Sequence, residues 1–91
     1  MKLTEKIGLL ELNGKEYHLT KGETNTLAAL LRHKVANISD IYEQVYKVRP
    51  NNNIGEYERR LIYMQLQRLK KKVPELEITR YYNYGYELRR D

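Results

Sequence analysis

The strongest constraint in this chain is an aliphatic stripe near its C-terminal third. Ile62, Leu66, Leu69 and Val73 recur at spacings of 4, 3 and 4, which places all four on one face of a helix over about 55–73. Pro74 ends that helix. The opposite face carries Tyr57, Arg60, Met64, Gln67, Arg68 and Lys71. Between positions 59 and 72 the basic residues Arg59, Arg60, Arg68, Lys70, Lys71 and Lys72 occur without one acid. A helix so divided buries one side and offers the other, positively charged, to solvent or to a partner.

The rest of the chain must supply what that stripe packs against. Residues 7–20 read as a β-hairpin around Asn13-Gly14, since both residues accept the positive φ of a two-residue turn. Strands over 7–12 and 15–19 flank it, with Tyr17 and Leu19 alternating against Glu16 and His18. Thr20 and Glu23 form a capping box that starts a first helix running to about His33, with Leu27, Leu30 and Leu31 as its apolar stripe. Asn37 with Asp40 starts a second, short helix. Its Ile41 and Val45 share a face, and Pro50 stops its continuation. The polar stretch 50–55 is a connecting loop in which Asn53 with Glu56 would cap the third helix. A second hairpin closes the chain. Residues 78–82 are rich in β-formers, 83–85 form the turn, and Tyr86 and Leu88 alternate with Glu87 and Arg89 on the return, Tyr86 facing the core. The expected fold class is therefore α+β: an N-terminal hairpin or sheet, three helices and a C-terminal β-hairpin, forming one domain over 1–91.

Composition removes several classes of function. The chain has 91 residues, no cysteine and a formal net charge of +5. Neither disulfides nor thiolate metal sites are available. No apolar run is long enough for a bilayer, and the four-residue run at 7–10 is no signal-peptide core. A cytoplasmic protein is expected, with no membrane partner. His18 and His33 lack metal-ligand spacing, so no metal and no cofactor is expected. Ser39 and the scattered acids form no set of nucleophile, base and orienter, so the chain is not expected to be an enzyme. The positive bias admits nucleic acid. A helix buried on one face and basic on the other suits the major groove of double-stranded DNA, where Arg, Lys and Gln match base edges.

At this point the residues carry a family likeness. The run from Leu10 to Glu23, Leu-Glu-Leu-Asn-Gly-Lys-Glu-Tyr-His-Leu-Thr-Lys-Gly-Glu, is similar to the N-terminal strands and Leu-Thr-x-x-Glu helix start of the OmpR/PhoB-type winged-helix DNA-binding domain, the effector half of many response regulators. Val45-Tyr46 stands where that family has Val-Trp. The run from Arg60 to Val73 resembles its recognition helix, and the run from Ile78 to Leu88 resembles its wing. The likeness covers roughly 9–89. It implies a winged helix-turn-helix acting as a sequence-specific transcription regulator, with no receiver domain in this sequence. By position it implies that Arg60 and Gln65 contact phosphates, that Gln67 and Arg68 face bases, and that Arg80 and Tyr82 lie on the wing near the sugar-phosphate backbone or the minor groove. Tyr63, Met64, Lys71 and Tyr84 complete the expected DNA-binding set. It further implies pairing of two copies on direct repeats, and contact of the 48–55 loop with RNA polymerase. This chain departs from the family pattern by placing Tyr82 at the wing arginine, Asn83 at the first wing glycine, and Tyr63 and Gln65 at the helix Asp and His. The alternative expectation is a protein-binding adaptor on the same fold, for RNA polymerase or another regulator. A third is sequence-blind architectural binding, marked by weak affinity and steep salt dependence.

Overall fold

The protein is described here by a computed structural model covering residues 1–48 and 54–89. Three strands open it: β1 (Lys2–Thr4), β2 (Leu9–Leu12) and β3 (Lys15–His18) form an antiparallel sheet in the order β1-β2-β3. Helices α1 (Lys21–Arg32), α2 (Ile38–Tyr46) and α3 (Glu56–Lys72) follow, with the two-residue strand β4 (Ala36–Asn37) between the first two. Strands β5 (Ile78–Tyr81) and β6 (Gly85–Leu88) end the described chain, and the second sheet is ordered β4-β6-β5.

The local signals explain most of these boundaries. Asn13 and Gly14 both take positive φ, 51° and 78°, as a two-residue hairpin turn between Leu12 and Lys15 requires. Thr20 accepts from the Glu23 amide at 3.2 Å while the Glu23 carboxylate accepts from the Thr20 amide at 2.9 Å, the reciprocal capping box expected of α1. Asn37 and Asp40 form a second such box at the start of α2. Lys47 closes α2 in the left-handed region at φ 59°. Pro50 and Asn53, expected to stop α2 and to cap α3, lie outside the described residues. Gly55 occupies the N-cap of α3 and makes no side-chain cap bond.

Three sequence expectations need correction. The first sheet has a third strand, β1, whose Leu3 pairs with Leu10, and β2 begins at Leu9 rather than at Ile7. Ile7 lies in the preceding turn and is exposed. The strand β4 was not expected at all. The wing turn is 82–84, not 83–85: Gly85 is already a strand residue paired with both Tyr81 and Asn37. Asn83 sits at φ 58°, and the Tyr84 amide donates to the Tyr81 carbonyl at 3.0 Å, so Asn83 supplies the left-handed third position of a β-turn.

The core gathers around α1, which packs against α2, α3, β4 and β6. Leu27 and Leu30 meet Ile41 of α2 and Ile62, Leu66, Leu69 and Val73 of α3, with Leu10 closing one side and Tyr86 and Leu88 the other. The α3 stripe is thus buried as its spacing demands. Leu31, expected on the α1 stripe, is only half-buried, whereas Glu23, Thr24, Asn25 and Thr26 are buried. The first half of α1 is enclosed on nearly every side, and two of its polar residues are satisfied locally: Thr24 and Thr26 donate to the carbonyls of Thr20 and Gly22, each at 2.8 Å.

Candidate nucleic-acid interface

Helix α3 is positioned by its buried stripe, and that fixes which residues it presents. Arg60, Met64, Gln67, Arg68 and Lys71 form an exposed ridge directly opposite the core, with Tyr57 at its N-terminal end. The acids of this helix, Glu56 and Glu58, lie in its first turn and its lysines in the last, where each suits the helix dipole. The consequence is a ridge whose positive charge is densest toward Val73.

The cations along α3 divide by what they touch. Lys72 is committed to the fold: its ammonium donates to the Glu23 carboxylate at 2.7 Å and to the His18 carbonyl at 3.2 Å. Glu23 is nearly enclosed at its side chain, and burial alone would push its carboxyl up. The hydrogen bonds from Lys72 and Thr20 and the Lys72 charge prevail and hold it below the ordinary carboxylate range. Arg60 has Glu56 at 3.9 Å, one turn earlier and fully solvated, a pairing that costs little to break. Arg68, Lys70 and Lys71 have no carboxylate partner among the described residues. The positive ridge is therefore neither neutralised nor covered.

The wing packs beside the N-terminal half of α3. Arg80 on β5 lies over the Tyr63 ring at 5.7 Å and the Tyr82 ring at 5.9 Å. Such stacking fixes a guanidinium without consuming its charge. Tyr86 is buried at the base of this junction, and burial pushes its hydroxyl up. The wing tip is held to the helix by Arg59, whose Nη1 donates to Asn83 Oδ1 at 2.7 Å. It is held to α2 by the Ile38 amide, which donates to the Tyr84 carbonyl at 3.0 Å. Tyr82 is 80% exposed and Tyr84 55%, so both project from the tip.

The expected site residues thus fall into three places. Arg60, Met64, Gln67, Arg68 and Lys71 share the ridge. Tyr63, Arg80 and Tyr82 form the stack at the helix–wing junction, and Tyr84 lies at the tip near the start of α2. Gln65 stands apart: it is half-buried and packs across Gly22 in the first turn of α1, so close that a Cβ at Gly22 would lie 2.8 Å from its amide nitrogen. Arg59 and Asn83 were absent from the expected set. Arg59 precedes Tyr63 by one helical turn and so shares its wing-facing row, a signal the sequence did contain once the wing was placed. Among the described residues no group of His, Asp and Glu is arranged to hold a metal ion, and no helix is long and apolar enough to cross a membrane.

No protein-family model matches the chain, and no curated protein matches it. Among solved structures it is similar to the crystal structure of the DNA-binding domain of Bacillus subtilis CssR, with a TM-score of 0.71 and 25% sequence identity. The match covers 97% of this chain and 98% of that one. The likeness runs from the N-terminal sheet through the wing, and the fold is a winged helix, three helices with antiparallel sheets.

Proposed function

We infer that this chain is a sequence-specific double-stranded DNA-binding protein that regulates transcription, with α3 in the major groove and the wing alongside. The observation that carries this reading is the uncovered ridge of Arg60, Gln67, Arg68 and Lys71 on the helix that the winged fold presents outward. Its likeness to a solved DNA-binding domain over nearly the whole chain supports it. Gln67 and Arg68 offer the paired donors and acceptors that discriminate base edges, while Lys71 and Arg60 suit phosphates. Regulation of transcription places the protein in the cytoplasm, with the DNA.

The test is selection of bound duplexes from a random pool at moderate salt, followed by affinity measurements. Arg68→Ala should relax preference at one base position and weaken binding by about 1–3 kcal/mol. Lys71→Ala should weaken all sequences alike and reduce the salt slope by about one. A folded protein that enriches no sequence overturns the reading. Two further partners follow from the family likeness: a second copy on an adjacent direct repeat, and RNA polymerase at the loop joining α2 to α3. The selected sequence should then contain a repeated half-site. The RNA polymerase contact falls mainly outside the described residues, and a pulldown with purified polymerase tests it.

A further inference from the structure

Where α3 meets the wing there is a small cleft lined by Arg59, Tyr63, Arg80, Asn83 and Tyr86. Its volume is about 40 Å³. On the same measure one water needs about 10–15 Å³, so the cleft has room for a single anionic oxygen. Two arginines line it, and the guanidinium of each is held by neutral partners. Arg59 donates to the Asn83 amide oxygen, and Arg80 is stacked on the Tyr63 and Tyr82 rings. This contrasts with the other described side chains whose cations are fixed in place. Arg32 is tied to Glu5, Arg89 to Glu77 and Lys72 to Glu23. At the junction, two arginines are oriented yet left with their charge uncompensated among the described residues. Like charges are brought to one cleft without a carboxylate between them, an arrangement that gains from an anion.

We propose that Arg59 and Arg80 form a phosphate seat: together they grip one non-bridging oxygen of a DNA backbone phosphodiester at the boundary between recognition helix and wing. The proposal rests on the DNA-binding reading above and adds a residue, Arg59, and a fixed point to it. Tyr63 and Tyr82 act as positioning residues here, holding the Arg80 plane, while Asn83 positions Arg59. A seat shared by helix and wing sets the distance between them along one strand, so it contributes register rather than base preference.

The experiment uses the full chain and the duplex recovered by selection, with single methylphosphonate linkages walked along each strand to remove one backbone charge at a time. Arg59→Gln and Arg80→Gln are both exposed substitutions, and circular dichroism and thermal melting confirm that each variant folds. Each should weaken binding about tenfold on every sequence and reduce the salt slope by about one. One methylphosphonate position should weaken the unaltered protein by a similar factor and have little further effect on either variant. Tyr63→Leu should lower affinity with the salt slope unchanged, since it disturbs position and not charge. If the unaltered protein binds but every linkage weakens the variants as much as it weakens the parent, the seat is disproved while the DNA reading stands. If Arg59→Gln and Arg80→Gln bind as the parent does, the seat is likewise disproved. If no duplex is bound at all, both readings fall.

Discussion

At position 85 the backbone of β4 passes so close that a Cβ there would lie 2.7 Å from Asn37 Cα and closer still to the Ala36 carbonyl oxygen. Neither is a flexible side-chain end, so neither can yield cheaply. Gly85→Ala should therefore separate β4 from β6 and destabilise the protein by about 3 kcal/mol, read as a lowered urea midpoint. Gly22 is the opposite case: the atoms near it belong to the Gln65 side chain, which can swing away. A second single-residue prediction concerns Glu23. Its carboxyl is held below the ordinary range in the fold, so its contribution is fully present above the unfolded carboxylate pKa and is lost as the pH falls through the folded value. Lys72→Ala removes the principal cause of that lowering and leaves an enclosed carboxylate with its capping bonds alone. It should cost about 1–3 kcal/mol near neutral pH and flatten the acid limb of a stability–pH curve, measured by urea unfolding at several pH values. An unchanged acid limb would show that Lys72 is not what holds Glu23 ionised.

Elements were legible where their signals are local. The Thr20–Glu23 capping box, the Asn37 cap, the Asn13-Gly14 turn and the 4-3-4 stripe of α3 are each contained in one short run of sequence, and all stand in the structure. Thr20→Ala should cost about 1 kcal/mol, and Leu69→Ala, which empties a fully enclosed position, about 2–5 kcal/mol, both by chemical denaturation. What escaped the sequence were the elements defined by a distant partner. Strand β4 has two residues, too few to show alternation, and exists only because Tyr86 and Gly85 pair with it from the far end of the chain. Strand β1 depends likewise on β2. The wing turn slipped by one residue because Gly85 reads as a turn glycine, when it is required by close approach inside a strand. The site divided the same way. The ridge residues followed from helical period, whereas the Arg80 stack and the Arg59–Asn83 bond needed the helix and wing to be set side by side.

On the scale of the whole molecule, charge and shape separate the two ends of the fold. The N-terminal sheet side carries Glu11, Glu16, Glu75 and Glu77 beside Lys2, Lys6 and Lys15, and Glu75 accepts a hydrogen bond from the Tyr17 hydroxyl there, while Arg59, Arg68, Lys70, Lys71 and Arg80 on α3 and the wing have no carboxylate partner among the described residues. A folded chain of 12.5 Å radius of gyration with such a division approaches DNA in a preferred orientation. Association should accordingly slow markedly with added salt, more steeply than dissociation quickens, in stopped-flow measurements; rates indifferent to salt would exclude orientation by the field.

The pairing of Ala36 with Tyr86 joins positions that all of α2, the connecting loop, α3 and β5 separate in the chain. A seam of that span closes only after the intervening helices have condensed, because loop-closure entropy opposes it until other contacts exist. During refolding, then, the recognition helix acquires its companion hairpin late. A change that weakens the seam, such as Ala36→Gly, should hasten unfolding while leaving the refolding limb of a chevron plot nearly unmoved. A nascent chain would hold a basic helix for some time before the surface that gives it register exists.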